Sequence, residues 1–282
     1  MKKTQLILII LLLVTSCNSS KSLKNVFNQT VLNHTGFTPI DPLEYNKWQV
    51  FVADTSQTIN MRDATNKDRL QFLDNQGFFV SVKDISAGID ANFGSATISS
   101  KGSTYQVVLD YAKYRTHSTI VGEARIGIGL RMVANLTTFE AGINLGDLFA
   151  IGFAAEGKKL SGTLSVDVIG ISSKDATNII PFSGEINRTT ITNTITALAT
   201  MKSLIHNIDS DDNTRIFPQI LSIKPFFTDV FYIRDEMEIE EKRKVLEAFE
   251  KERRLISRKL LGHLTRSTGE ELDSIYHKSY KF

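Results

Sequence analysis

The stretch RIGIGLRMVANL, residues 125–136, constrains the fold more than any other part of this chain. Ile126, Ile128, Leu130, Met132, Ala134 and Leu136 fall on one side of an extended backbone. Arg125, Gly127, Gly129, Arg131 and Asn135 fall on the other, with Val133 the exception. Alternation with a period of two is the signature of a strand with one apolar face, and on a helix it would scatter that face around the axis. The Gly-x-Gly inside it is not a phosphate loop, since no tight turn or helix start follows. Glycines within a strand mark a bend or a close neighbour.

Further strands are predicted over Trp48–Val52, Gly77–Val82, Tyr105 to about His117, Thr163–Ile171 and Ile216–Ile223, the last ended by Pro225. Short helices are expected within Arg62–Asn75 and at Asp147–Glu156, where Asp147 is placed to cap. A longer one is expected over Asn187–Asn207. There Ile191, Ile195, Leu198 and Ile205 lie at i, i+4, i+7 and i+14, on one stripe. From Arg234 to Leu264 the chain is dense in Glu, Lys and Arg, with Val245, Phe249, Ile256, Leu260 and Leu264 at helical spacing. A helix of that length, on the order of 45 Å, either packs across a domain or projects toward a partner, and packing is expected. The fold class read from this order is α+β: a mostly antiparallel sheet flanked by helices, with a long C-terminal helix.

The amino terminus has a different character. Met1-Lys2-Lys3 precedes an almost unbroken apolar run from Leu6 to Val14, and Thr15-Ser16-Cys17 follows. A basic start, a short apolar segment and small residues before a boundary make a secretory signal peptide. The run is too short to span a bilayer, which needs about 20 apolar residues. Val14-Thr15-Ser16-Cys17 resembles the lipobox of bacterial lipoproteins. The resemblance implies that the Cys17 thiol is joined to a diacylglycerol, that a peptidase removes residues 1–16, and that the new amino terminus receives a further acyl chain such as palmitate. The alternative is an ordinary signal peptide with a chance cysteine at its end, but Cys17 is the only cysteine in the chain.

Cleavage leaves 266 of the 282 residues, enough for one large or two small domains. It also removes Lys2 and Lys3, so 31 basic side chains face 31 acidic ones. A net charge near zero gives no case for a nucleic-acid partner. With no cysteine beyond position 17, disulfides and cysteine metal sites are excluded. Residues 17–44 follow as lipidated cysteine and tether, rich in Asn, Ser and Thr and carrying Pro39 and Pro42. The expected order is then a globular domain over 45–233, the charged helix over 234–265 and a tail over 266–282.

Motifs for catalysis are not found. His34, His117, His206, His263 and His277 include no pair three or four apart that would grip a metal from one helix face. No Gly-x-Ser-x-Gly elbow is present. Asp209-Ser210-Asp211-Asp212-Asn213 begins like a calcium loop, but the required glycine is Thr214 and the required glutamate is Ile220. No cofactor or metal is expected, and the chain reads as a protein that is not an enzyme.

The central region resembles one family. Ala91-Asn92-Phe93-Gly94 leads to a strand around Tyr105–Tyr111, the alternating strand 125–136 and a short helix at Asp147–Glu156. A second alternating strand then closes on Gly170, and a helix gives way to a strand with Pro218. This order is similar to the bent-sheet core of the perforin and cholesterol-dependent cytolysin superfamily, whose helices unfurl into membrane hairpins. The resemblance implies a bent sheet. Thr190–Lys202 has a double period: besides its helical stripe, Ile191, Ile195, Ala197, Ala199 and Met201 alternate with threonines. Departures are Ile171 where the family has a second glycine, a single tryptophan, Trp48, and too little chain between Gly102 and Ile180 for two unfurling clusters.

These features lead to the expectation of a lipid-anchored protein of the bacterial cell envelope. It is held in the bilayer through acylated Cys17, in the outer membrane if the cell has two, and binds an envelope protein or component without transforming it. The alternatives are a membrane-acting relative of the pore formers and a hydrolase of an envelope polymer.

Overall fold

The computed structural model describes residues 31–33, 36–45, 49–52, 57–86, 101–174, 182–208, 214–227 and 238–265. Cys17, the leader, the Asp209–Asn213 run, residues 91–94 and the expected tail lie outside the described residues. The fold is α+β, with four helices among the described residues and a mostly antiparallel sheet.

Two long strands form its spine. β6 (Thr104–Thr119) and β7 (Gly122–Thr138) pair along their whole length as an antiparallel hairpin. On the β6 side lie β5 (Asn75–Asp84) and then β1 (Val31–Asn33), which is parallel to β5. The other edge of β7 is divided. Residues Gly122–Gly127 pair with β12 (Gln219–Pro225), and residues Gly129–Thr138 pair with β8 (Leu160–Ile169). Beyond β12 lies β2 (Thr38–Glu44), and beyond β8 lies β10 (Phe182–Glu185). Two small antiparallel pairs stand beside this sheet: the hairpin of β3 (Gln49–Val52) with β4 (Gln57–Asn60), and β9 (Ile171–Ser172) with β11 (Arg215–Ile216), which are distant in sequence.

The sheet forks where the Gly-x-Gly sits. A Cβ on Gly127 would stand 2.4 Å from the Lys113 carbonyl oxygen, and one on Gly129 would stand 2.0 Å from that of Tyr111. Both distances are far inside van der Waals contact, so the close approach of β6 requires glycine. The alternation holds as expected: Ile126, Ile128, Leu130, Met132 and Leu136 are buried in the main core. The opposite face is not bare. Phe79, Ala112, Tyr114, Ile169 and Leu221 form a smaller cluster there. The Arg125 guanidinium lies 4.0 Å from the Phe37 ring centre and 4.1 Å from that of Phe79.

The helices cover the main core. α2 (Leu148–Glu156) starts at Asp147, whose carboxylate accepts from the Phe149 N–H at 2.9 Å. α3 (Arg188–Asn207) starts at a capping box made by Asn187 and Thr190. It packs on α2 and β7. Its stripe buries Ile191, Leu198 and Ile205, with Ala197 and Met201 beside them. Threonine is a middling helix former, and here Thr192, Thr194, Thr196 and Thr200 each donate their hydroxyl to the carbonyl four residues back. In this state the segment with two periods is a helix. α4 (Ile239–Thr265) is about 40 Å long. Its second half packs on β7 and β12 through Ile256, Leu260, Leu261 and Leu264. Its first half carries exposed Glu240, Glu241, Arg243, Lys244 and Glu247, and Phe249 there stacks on Phe227 with ring centres 4.9 Å apart.

One boundary differs from expectation. The composition of residues 17–44 suggests a tether, yet β2 occupies Thr38–Glu44 and β1 occupies Val31–Asn33, both in the main sheet. Phe37 and Ile40 are buried. Pro39 and Pro42 suggest a linker, but an edge strand tolerates proline because one of its sides has no ladder to supply.

Candidate functional site

The seven-residue helix α1 (Asn66–Phe72) delivers the side chain around which the site is built. Thr65 and Asp68 close a capping box at its start, with Asp68 Oδ2 accepting from the Thr65 N–H at 2.9 Å and Thr65 Oγ1 from the Asp68 N–H at 3.2 Å. Arg69 and Leu70 face inward, and Leu73 just beyond the helix is fully buried. An arginine on the inward stripe must satisfy its donors or carry a large desolvation penalty. Arg69 donates to three backbone carbonyls: Nε to Met61 at 3.0 Å, Nη1 to Ile216 at 2.7 Å and Nη2 to Arg62 at 2.9 Å. Asn66 adds a second tie to the same strand, donating to the Thr214 carbonyl at 2.5 Å and accepting from the Ile216 N–H at 3.4 Å. The turn after β4, helix α1 and strand β11 are thereby fastened together.

Above Arg69 lies a cavity of about 220 Å³, lined by Glu44, Tyr45, Met61, Arg62, Arg69, Phe217 and Pro218. Phe217 reaches it from the link between β11 and β12. Gly170 makes room for that link: it sits at φ +64°, donates no bulk, and accepts from the Phe217 N–H at 2.6 Å. A Cβ there would stand 2.4 Å from the Phe217 carbonyl oxygen. The Arg69 guanidinium lies 5.7 Å from the Phe217 ring centre. Tyr45 forms another wall, and burial pushes its phenol well above the ordinary tyrosine range. Glu44 and Arg62 meet across the mouth at 3.8 Å, both well exposed.

The electrostatics of the cavity centre on Arg69, which is 8% exposed. Burial pulls its pKa down, and the charges of Asp63 and Asp68 oppose that pull, but neither forms an ion pair with it. The guanidinium has five N–H donors, and its three hydrogen bonds all run to neutral carbonyls. Among the described residues no carboxylate is in contact with this desolvated positive charge. Such a centre, walled by two aromatic rings and a methionine, has the composition of a recognition pocket: apolar surface with a few fixed polar groups.

Other concavities and candidate residues fall elsewhere. A second cavity of about 240 Å³ lies between α2 and α3, lined by Phe149, Gly152, Phe153, Ile191 and Ile195, with Glu156 and Arg188 4.0 Å apart at its side. Its walls contain no buried charge to orient a ligand. His117 lies on β6 with its ring 6.1 Å from Tyr45, and burial with Arg115 nearby lowers its pKa. His206 and His263 are exposed on α3 and α4. Among the described residues no three His, Cys, Asp or Glu side chains come together as a metal site. Among the described residues no helix is long and apolar enough to cross a membrane.

The helix α1 lies within the expected helical stretch Arg62–Asn75, but Arg69 is not among the residues the motifs mark. The signal was present: Asn66, Arg69, Leu70 and Leu73 lie at i, i+3, i+4 and i+7, so a charge sits in an apolar stripe. No family model, no curated protein and no solved structure matches this chain.

Proposed function

We propose that this chain is a lipid-anchored protein of the bacterial cell envelope that binds another envelope component through the Arg69 cavity and does not transform it. The sequence supports the location: a short apolar leader ends in Val14-Thr15-Ser16-Cys17, with no second cysteine to compete for the role. One observation carries the binding reading. The side chains lining the cavity are of recognising types, with a buried cation, two aromatic walls and a methionine, and no serine, cysteine, threonine or histidine is among them. Its tyrosine holds its proton tightly, and its one carboxylate, Glu44, is engaged by Arg62 at the rim. A general base or nucleophile needs a pKa near the working pH and a reachable partner, and these groups do not supply that combination.

The test is capture from solubilised envelope with the immobilised full chain, beside an Arg62→Glu variant that reverses charge at the rim. A component retained by the wild type and lost from the variant supports the reading. No specific component under several detergents and salts, or equal retention by both, overturns it.

A second reading, a membrane-acting relative of the bent-sheet pore formers, draws on the double period of Thr190–Lys202. Release of dye from liposomes together with ring-shaped oligomers would favour it. A protein that stays monomeric and leaves vesicles intact across pH and lipid types would end it.

A further inference from the structure

We infer that the Arg69 cavity takes a small anion that carries a ring, its carboxylate or phosphate oxygens against the arginines and its ring against Phe217, Tyr45 and Met61. The inference rests on the binding reading above and specifies the chemistry of the ligand.

Charge gives the sign. The lining holds two arginines and one glutamate, a net of one positive charge. Only Arg69 among them is buried, at 8% exposed. Three of its five N–H groups hold carbonyls, which fixes the plane of the guanidinium before any ligand arrives. A planar, pre-oriented guanidinium is matched to carboxylate and phosphate, and holding it rigid lowers the entropy lost on binding. Replacing cavity water with an anion supplies the partner that carbonyl dipoles only approximate, and charge-assisted hydrogen bonds of this kind are the strong ones. A cation would meet the same desolvated positive charge: Glu44 is the one carboxylate in the lining and faces Arg62, while Asp63 and Asp68 act on Arg69 from outside it.

Size and walls give the rest. About 220 Å³ is somewhat more than the roughly 150 Å³ of a cavity that takes a benzene ring, which suits one substituted ring better than a chain or a polymer segment lying wholly inside. Phe217 is 44% exposed, with the Arg69 guanidinium 5.7 Å from its ring centre. A ligand ring laid on it would cover apolar surface that water now wets.

The experiment is a chemical-shift titration of the full-length chain in detergent with four probes: phenyl phosphate, benzoate, inorganic phosphate and benzylamine. Phenyl phosphate or benzoate should saturate with a Kd of about 0.1–1 mM, with shifts at Arg69 and Phe217, and the tighter of the two identifies the acid group. Inorganic phosphate should bind at least about tenfold more weakly, and benzylamine should not bind. Arg62→Glu should weaken both ring anions about tenfold, and Phe217→Ala should weaken them while leaving inorganic phosphate unchanged. Both altered side chains are exposed, and unchanged melting curves will establish that the variants fold. Benzylamine binding as tightly as the anions overturns the inference. So does equal affinity in wild type and both variants, or no saturable shift with any probe. If no probe binds while envelope capture still depends on Arg62, the anion assignment falls and the binding reading stands. If the ring anions bind and capture fails, the cavity chemistry stands and the envelope partner falls.

Discussion

Arg131 and Asp110 face each other across β7 and β6 and meet in two parallel hydrogen bonds, Nε to Oδ1 and Nη2 to Oδ2, each 2.7 Å long. Both are almost wholly buried. The same guanidinium also donates to the carbonyls of Ile40 on β2 and, at 2.8 Å, Leu221 on β12. Those two carbonyls lie where the ladder of β12 breaks register, between Ile220 and Ser222. A bulge leaves residues unpaired, and Arg131 satisfies the oxygens that this one releases. The buried ion pair is thus a fastening between the central hairpin and the β12–β2 edge.

Arg131 has a second acidic neighbour in register, Asp167 on β8, and the two aspartates should behave differently. Asp167 is exposed, and burial of part of its surroundings pushes its pKa up against the pull of Arg131. Asp110→Asn leaves a buried guanidinium without its carboxylate and should cost about 3–5 kcal/mol. Asp167→Asn should stay within about 0.5 kcal/mol of wild type at neutral pH. Urea unfolding midpoints of the two variants check this, and equal losses would contradict it.

The fork in the sheet predicts a sharp contrast between glycines. Gly129→Ala forces a methyl group to within 2.0 Å of the Tyr111 carbonyl oxygen, so β6 and β7 must separate, at a cost of more than about 3 kcal/mol. Gly142→Ala meets nothing within 4 Å, and only its positive φ opposes the change, at about 1–2 kcal/mol. Thermal melts that rank the two variants the other way would count against the close packing of the hairpin.

The alternation of residues 125–136 made β7 legible because one face of that strand is fully buried, so every second side chain reports on it. The stripe Ile191, Leu198, Ile205 did the same for α3, even though its threonines favour strands. Pro39 and Pro42 misled because the local preference of proline is the same in a linker and at a sheet edge; what distinguishes them is β12, nearly 180 residues away. Asp110 and Arg131 could not be paired in advance for a similar reason. Their contact depends on the β6–β7 register and on a bulge at Leu221, and neither leaves a mark in one sequence. Arg69 was legible as a charge within an apolar stripe, but its three carbonyl partners lie on two other segments, and the cavity exists only once those segments meet.

The anchor carries its own prediction. Cys17→Ala should leave the precursor uncleaved and without acyl chains, because no other thiol is present to accept the diacylglycerol. Intact-mass spectrometry and palmitate labelling read this directly. Wild type should lose residues 1–16 and gain acyl mass, each buried CH₂ adding about 0.8 kcal/mol to membrane attachment. A Cys17→Ala protein lipidated as wild type would overturn the anchor.

The central claim is that the cavity above Arg69 meets an envelope component in the living cell, and cross-linking in place tests it most directly. A photoreactive phenylalanine analogue at position 217 sits on the cavity wall, and the same analogue at the exposed position 202 on α3 serves as the control. Illumination of intact cells should give an adduct at position 217 that is absent at 202 and is lost when Arg62→Glu is added. No adduct at 217, or the same adduct from both positions, would contradict the account.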